Sequence, residues 1–347
     1  KTHNTITEPK ETKAGAETET ETETETETET ETETETETET INNYSEQIAN
    51  FSFDEFIQYS FHQLLLRDPE QVLQEGRAEE LNLIAPTFTD ISIDYQKQTL
   101  TIYETTLLKL QEYNPSAFNS AQKLHYDFYH WWLTDQISLR NYPQFRTSAL
   151  QAINLNNFFL GLYPVDSANS ANQYLSELAK LPLQYDALLH ILKDRKEKGI
   201  VEPDVLLGHI VDQFTQLTSL SAADDPINQH FSQVLTDIEI DGDKKQELLQ
   251  QTQTLITDQI RPKQINLKNY LETLLPQAPT EIGLSQYPEG ENYYHAILAH
   301  HLTSSMTVNE AYQTGESELA QVQIKINHAF ETLGFDNKLS LAERYAQ

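Results

Sequence analysis

The residues best suited to chemistry stand together near the end of the sequence, between positions 293 and 304. This stretch combines adjacent tyrosines, adjacent histidines and two hydroxyl residues, namely Tyr293, Tyr294, His300, His301, Thr303 and Ser304. Imidazole and phenol groups can bind or polarise a substrate oxygen. We therefore take Tyr293, Tyr294, His301 and Thr303 as candidate substrate-binding residues, with His301 and Tyr294 facing the substrate. The alternative is that one or two of the six are core side chains and the others lie on the surface, and residue types alone favour this alternative.

Zinc peptidase chemistry requires the motif His-Glu-x-x-His, in which two histidines one helical turn apart bind the metal and the glutamate acts as general base. None of the eleven histidines is followed by glutamate, so the motif is absent from this sequence. The lack of cysteine also excludes disulfides and thiolate metal sites. A run from Asp237 to Asp243 begins like a calcium loop, but Leu248 stands where that loop requires glutamate. The sequence thus predicts no metal ligand and no catalytic residue in this chain.

The candidate residues are followed directly by the strongest helix prediction in the chain. Thr307 and Glu310 form a Thr-x-x-Glu capping box, in which each side chain satisfies a backbone donor of the first helical turn. Apolar residues then recur at steps of three and four, and Gly334 follows where a left-handed cap would end the helix. The pattern predicts one long helix with a single buried stripe, formed by Val308, Ala311, Tyr312, Gly315, Leu319, Val322, Ile326, Phe330 and Leu333.

Helical periodicity also runs through the earlier part of the folded chain. Ser52 and Glu55 form a second capping box, and the apolar stripe that follows them ends at Asp68-Pro69. Residues 87–113 fit a helix better than a strand. Residues 119–139 predict a strongly buried helix whose inner face carries Leu124, Phe128, Trp131, Trp132 and Leu139.

A long helical element is predicted over residues 243–275, with a kink at Pro262. No stretch of the sequence gives a convincing series of strands with alternating polarity. The predicted fold class is therefore all-α, a multi-helix array.

The composition excludes two classes of partner. The 347 residues carry a net charge of −31, and a pure Glu-Thr alternation over residues 17–40 accounts for twelve of the acidic groups. The remaining residues 41–347 still carry −20. Such a field repels nucleic acid and anionic lipid. No apolar run approaches the roughly 20 residues that a membrane-spanning helix needs, so no membrane span is expected.

The low-complexity stretch divides the chain into two parts. Residues 1–43 are predicted to be a disordered acidic tether, because alternating Thr and Glu offer no apolar face to offset the entropy of ordering. Residues 44–347 are predicted to form an all-helical domain. The chain begins with Lys1, so an export signal or lipid anchor would lie upstream. A polar tether ahead of a folded body favours an exported, periplasmic or cell-surface protein, and a solubilising tail is the alternative.

Several segments together resemble a known family. The block Tyr293-Tyr294, six residues, His301, Thr303-Ser304 and the Thr307-capped helix is similar to a "YY…H-T-T-T…TPEE…LG" pattern. Further similar segments are Phe53-Asp54-Glu55-Phe56 with Arg67-Asp68-Pro69, Ser120 through Trp132-Leu133 with Asp135-Gln136, and Lys198-Gly199-Ile200-Val201-Glu202-Pro203. In this order, from about residue 50 to 347, they resemble the bacterial family known as domain of unknown function 885, whose members look like zinc metallopeptidases.

The resemblance implies an all-helical fold like that of the helical, deep-cleft peptidases. It also implies that the metal motif lies downstream of the Thr307-capped helix, so zinc is expected in the full-length protein with no ligand in this chain. This chain would then be an N-terminal part that binds a peptide substrate, partnered by a C-terminal catalytic half. Such a fragment is expected to expose apolar helix faces.

The sequence departs from the family pattern at Tyr312, Val308 and Leu302, where the family often has His, Pro and Thr.

The alternative function is a non-catalytic helical binding module of an exported, tethered protein.

Overall fold

The computed structural model describes residues 39–83, 85–336 and 338–346. Within these ranges the regular structure is helical throughout and no strand occurs, so the predicted all-α class is confirmed. The described residues divide into two compact units, one comprising 39–83 and Asp94–Leu133 and the other comprising Ala85–Ile93, 134–336 and 338–346. No helix among the described residues has the length and apolarity that crossing a membrane requires.

The helices follow one another with short connections. They are α1 (39–48), α2 (Phe53–Leu65), α3 (Pro69–Gln74), α4 (Ile93–Gln111), α5 (Ser120–Arg140), α6 (Pro143–Arg146), α7 (Gln151–Asn157), α8 (Ala168–Leu178), α9 (Leu181–Glu197), α10 (Asp204–Ser219), α11 (Pro226–Val234), α12 (Gly242–Leu255), α13 (Arg261–Leu274), α14 (Gly290–Leu302), α15 (Val308–Thr332) and α16 (Leu341–Tyr345). Two π-helical turns, Phe158–Leu162 and Ile256–Ile260, extend α7 and join α12 to α13.

The end of the predicted tether differs from the structure. Residues 1–38, with most of the Glu-Thr alternation, lie outside the described residues. Residues 39–43, which the sequence predicts as part of the tether, belong instead to helix α1. This helix forms because its apolar side has a core to enter: Tyr44 and Ile48 are buried, and the Tyr44 hydroxyl lies 2.6 Å from Thr106 Oγ1. The predicted single domain over residues 44–347 stays a prediction.

The first unit has an aromatic core that α2 organises. The predicted capping box is present, since Glu55 accepts hydrogen bonds from the Ser52 backbone N–H at 2.9 Å and the Ser52 hydroxyl at 2.6 Å. The helix buries Phe56 against the rings of Tyr113 and Tyr129. The hydroxyl of Tyr129 lies 2.8 Å from Ser60 Oγ, which satisfies both polar groups inside this core.

Helix α5 is confirmed, but its predicted inner face is wrong. Tyr129 and Leu133 are buried, and Trp132 contacts Phe61 and Tyr103. The side chains predicted to be innermost are exposed, namely Leu124 (67%), Phe128 (59%) and Trp131 (40%). The helix is apolar on two sides, so periodicity alone selected the side with more apolar residues, whereas the aromatic partners of α2 and α4 lie on the other.

Helix α4 begins later than predicted. Residues 87–92 are not helical, because backbone and side-chain groups there bind a buried carboxylate instead. Thr87 Oγ1 and Phe88 N donate to Glu177 Oε1 at 2.8 and 3.0 Å. Glu177 is almost fully buried, and Lys180 also donates to it at 2.7 Å.

The core of the second unit is built around α9, which packs against α7 and α13, while α13 also packs against α10. Leu181, Leu188, Leu207, Leu267 and Leu271 are fully buried there. The kink predicted at Pro262 stays a prediction, and the structure shows a π-helical turn, Ile256–Ile260, immediately before α13. Proline lacks an N–H and its ring clashes with the carbonyl four residues earlier, so the backbone widens at this point.

Helix α15 has the predicted ends but not the predicted burial. Thr307 and Glu310 form the capping box, and Gly334 has φ +83°. No side chain of α15 is buried, so the predicted buried stripe is wrong for this chain. Leu319 is 59% exposed, and Tyr312, Val322 and Leu333 are exposed as well. Near the end of α15, Arg344 of α16 lies over the Phe330 ring and donates to Asn327 at 2.6 Å.

Candidate functional site

The start of α14 is fixed by close backbone contact. A Cβ atom at Gly290 would lie 1.8 Å from the carbonyl oxygen of Leu284, so this position requires glycine. The preceding residue, Glu289, has φ +61°. The hydroxyl of Tyr287 donates to the carbonyl oxygen of Val201 at 2.6 Å. Together these contacts attach the start of α14 to the turn that follows α9.

That turn is itself held by a buried ion pair. Arg195 Nη1 and Glu202 Oε1 are 2.5 Å apart, and both side chains are almost completely buried. Arg195 also donates to the carbonyl oxygen of Thr147 at 2.7 Å, and Glu202 accepts from the backbone N–H of Ala149 at 2.9 Å. Hydrogen bonds to the backbone on both sides offset the cost of burying the two charges.

Tyr293 anchors the first half of α14. Its ring stacks on Phe145 with centroids 4.7 Å apart and an interplanar angle of 8°, and it also contacts Tyr142 at 5.6 Å. Burial raises the pKa of the Tyr293 hydroxyl, and the positive charges of Arg146 and Arg195 oppose that shift. The hydroxyl is therefore protonated at neutral pH and can donate a hydrogen bond. The ring itself serves mainly to seat the helix on α6.

His300, in the last turn of α14, forms the pair of greatest chemical interest. Its Nδ1 lies 2.8 Å from Oδ2 of Asp135, which stands five residues before the end of α5. The Asp135 side chain is 10% exposed and the His300 side chain 37%. The neighbouring Gln136 donates its amide to the same carboxylate oxygen at 3.2 Å. A nearly buried carboxylate thus holds a half-exposed imidazole, which is the arrangement that fixes a histidine ring for proton transfer or hydrogen bonding.

The structure distributes the predicted site residues over different parts of α14. Tyr294 and His301 are seven residues apart and lie on one solvent-exposed side of the helix, Tyr294 being 44% exposed. Thr303 ends the helix in a left-handed conformation with φ +49° and is also exposed. Tyr293 points to the packed side together with His300. The substrate-binding role of these four residues stays a prediction.

Sequence reasoning missed Asp135 as the partner of His300. It named His300 within the cluster but favoured His301, whose ring centroid lies 5.2 Å from that of His300. The sequence does contain one indication that Asp135 matters, because this residue belongs to one of the segments that carry the family resemblance. Its distance of 165 residues from His300 along the chain, however, gives no indication that the two meet.

The side chains of the described residues do not form a zinc site. Across residues 39–83, 85–336 and 338–346, no group of three or more His, Asp or Glu side chains is arranged to hold a metal ion. In the candidate stretch, Asp135 and the Nδ1 atom of His300 bind each other. No chemical step through a metal is therefore derived for these residues.

The comparison with known families decides the classification. Residues 69–347 match the family described as bacterial protein of unknown function (DUF885). The chain belongs to the DUF885 family. The match starts at Pro69, so the similarity in segment 53–68 lies outside it.

The fold of this DUF885 chain is similar to one seen by crystallography. The crystal structure of a protein from Colwellia psychrerythraea, described as a "putative lipoprotein", superimposes with a TM-score of 0.69 at 14% sequence identity. The similarity covers 85% of this chain and 54% of the Colwellia chain, so the DUF885 chain spans about half the length of that protein. At this identity the comparison shows the fold alone. No curated protein matches the chain significantly.

Proposed function

We propose that this DUF885 chain is the N-terminal helical, substrate-cleft portion of a zinc-dependent metallopeptidase whose metal motif lies beyond residue 347. On this proposal residues 44–347 bind the peptide substrate, and the C-terminal catalytic half of the same protein holds the zinc. The peptidase assignment comes from the family resemblance carried by Tyr293-Tyr294, His301 and the Thr307-capped helix. No catalytic residue or metal ligand is assigned to this chain.

The observation that carries the proposal is the uncovered apolar side of α15. A helix of 25 residues with Leu319, Val322 and Leu333 exposed gains little from packing within this chain. Most of the stability of a helix in a protein comes from burying its apolar face, so such a helix is suited to contact further polypeptide. The Colwellia protein supports the same reading, because 54% of its length accounts for the similarity.

Within the proposed cleft, Tyr294 and His301 are the candidate substrate-facing groups. Both lie on the exposed side of α14, where an extended peptide can reach them. Thr303 would contribute a hydroxyl at the end of the helix. Tyr293 would act from the packed side with its protonated hydroxyl.

We also propose that the parent protein is exported and held at the periplasmic or cell surface, with a lipid anchor upstream of Lys1. The description of the Colwellia protein as a lipoprotein and the Glu-Thr stretch ahead of the folded units support this location.

The test compares the 347-residue chain with the polypeptide encoded by its complete uninterrupted reading frame. We expect the longer polypeptide to contain stoichiometric, chelator-removable zinc and to hydrolyse end-blocked peptides, and the shorter chain to bind peptides without cleaving them. Hydrolysis by the 347-residue chain alone would overturn the proposal. So would a longer polypeptide without zinc, or a reading frame that ends at residue 347.

One observation favours the alternative of a non-catalytic helical binding module. Leu124, Phe128 and Trp131 form an exposed apolar row on α5, and the rings of Phe128 and Trp131 are in contact at 5.8 Å. Exposed aromatic rows are common at binding surfaces. A binding module predicts that the 347-residue chain captures its partner with full affinity and that no zinc-containing form exists.

A further inference from the structure

We propose that His300 is the group of this chain that hydrogen-bonds a main-chain amide of the bound peptide, with Asp135 as its positioning residue. This inference rests on the proposed function, since it names the contact through which the cleft portion would hold its substrate. It differs from the expectation for His301, because the structure fixes one of the two adjacent imidazoles and leaves the other exposed.

The contact with Asp135 occupies only one of the two ring nitrogens of His300. Nδ1 faces Asp135 Oδ2 at 2.8 Å, and Asp135 is held in turn by the Gln136 amide. Among the described residues, Nε2 of His300 makes no hydrogen bond. Because the two ring nitrogens point in different directions, a contact at Nδ1 leaves Nε2 to another partner, and the His300 side chain is 37% exposed.

Asp135 also fixes the chemistry that Nε2 can offer. With a proton on Nδ1 donated to Asp135, Nε2 of the neutral ring accepts a hydrogen bond; in the protonated ring it donates one. A main-chain amide provides a partner for either form of the ring. Its N–H can donate to Nε2 of the neutral ring, and its carbonyl oxygen can accept from Nε2 of the protonated ring. An anionic ligand suits the position less well, since the Asp135 carboxylate and the carbonyl ends of α14 both carry negative charge.

The position is also rigid enough to bind a ligand without large ordering costs. The Tyr293 ring, two turns earlier on the same side of α14, is stacked on Phe145, and Gly290 holds the start of the helix against Leu284. A preorganised hydrogen-bonding group contributes more to affinity than one on a mobile side chain. His301 lacks such a hold, because it is exposed and no side chain of the described residues hydrogen-bonds to it.

The test uses the full 347-residue chain and an equimolar library of end-blocked hexapeptides, with retained peptide measured by mass spectrometry. His300→Asn keeps an N–H near the position of Nδ1 for Asp135 but removes Nε2, so we expect retention to fall about fivefold to tenfold, the effect of one hydrogen bond. His295→Asn, at an exposed histidine of the same helix that has no assigned role in binding, is the matched control and should retain peptides as the unchanged chain does. Thermal unfolding of each variant verifies that the fold is intact.

A second measurement tests the role of Asp135 separately. Nitrogen-15 NMR of the imidazole ring should show the proton on Nδ1 of His300 in the unchanged chain and a mixed tautomer in Asp135→Ala, with reduced peptide retention. Equal retention by His300→Asn and the unchanged chain would overturn the inference, as would an equal loss in His295→Asn or no retention by the unchanged chain. The two proposals can fail separately. If the longer polypeptide shows zinc-dependent hydrolysis and His300→Asn retains peptides normally, this inference is wrong and the proposed function is still supported.

Discussion

At the scale of single residues, the strongest constraints lie where α14 joins the turn after α9. Gly290 lies against the backbone of Leu284, and the buried Arg195–Glu202 pair ties the turn to residues 147–149. The sequence shows a glycine after Pro288 and a charged residue before Pro203, but it does not show what either one touches. The atoms that require glycine at 290 and a carboxylate at 202 belong to residues more than five positions away in the sequence. The sequence therefore could not predict these two requirements.

Replacing Gly290 by alanine should destabilise the protein. The added Cβ would overlap the Leu284 carbonyl, which is backbone and cannot rotate away. We expect a loss of about 1–3 kcal/mol in the free energy of unfolding, measured by urea denaturation. Gly315→Ala is the matched control, since nothing lies within 4 Å of the added methyl group and alanine favours the helix. A control that loses as much as Gly290→Ala would contradict the steric explanation.

Removing Glu202 should also be costly. Glu202→Ala leaves the buried Arg195 guanidinium without its counter-charge and Ala149 N–H without its acceptor, so we expect a loss of about 3–5 kcal/mol. The control is Asp194→Ala, which breaks the more exposed pair with Lys198 and should cost less than about 1 kcal/mol. Chemical denaturation of both variants measures the difference, and similar losses would refute the role assigned to burial.

At the scale of elements, the sequence predicted helix ends better than helix faces. The capping boxes at Ser52 and Thr307 and the glycine end of α15 are local signals, because the groups that satisfy each other are three residues apart. Burial is not local. The wrong inner face of α5 and the exposed stripe of α15 both show that an apolar row indicates where a helix can pack, whereas the partner helix decides whether it does.

The capping box of α15 should hold its first turn closed. Thr307→Ala removes the hydroxyl that accepts from the Glu310 backbone N–H, and we expect a local cost of about 1 kcal/mol. Hydrogen exchange of the amides of residues 308–311 should quicken about fivefold, whereas the first turn of α16, capped by Ser340 and Glu343, should be unchanged. No change at residues 308–311 would show that the capping box does not stabilise α15.

The same capping box should weaken in acid. Hydrogen bonds from the Thr307 backbone and hydroxyl lower the pKa of Glu310 below its ordinary value of 4.5. A lowered pKa in the folded state stabilises the fold above the ordinary value, and this contribution is lost as the pH falls through the lowered value. We therefore expect amide exchange at residues 308–311, corrected for its intrinsic pH dependence, to quicken below about pH 4 in the unchanged chain and to respond less in Thr307→Ala. An equal response of both chains would contradict the assignment.

At the scale of the whole molecule, α15 is a long helix with no buried side chain. Its exposed apolar side chains gain little from the core of this chain, so substitutions there should affect solubility more than stability. Leu319→Lys combined with Val322→Lys should change the free energy of unfolding of the 347-residue chain by less than about 0.5 kcal/mol per site and reduce its binding of an apolar dye. Leu267→Ala, in the core, should cost about 2–5 kcal/mol. A large loss from the α15 substitutions would show that this helix is packed.

The sequence by itself determined the all-α class, most helix ends, the lack of a His-Glu-x-x-His motif and the acidic charge, because these depend on residue types and on spacings within one or two helical turns. It also named His300 within the candidate stretch, residues 293–304. Only the tertiary structure decided which face of α5 and α15 is covered, and which imidazole is held. His300 meets Asp135 because two helix ends that are far apart in the chain come together in the fold, and no local pattern encodes that distance.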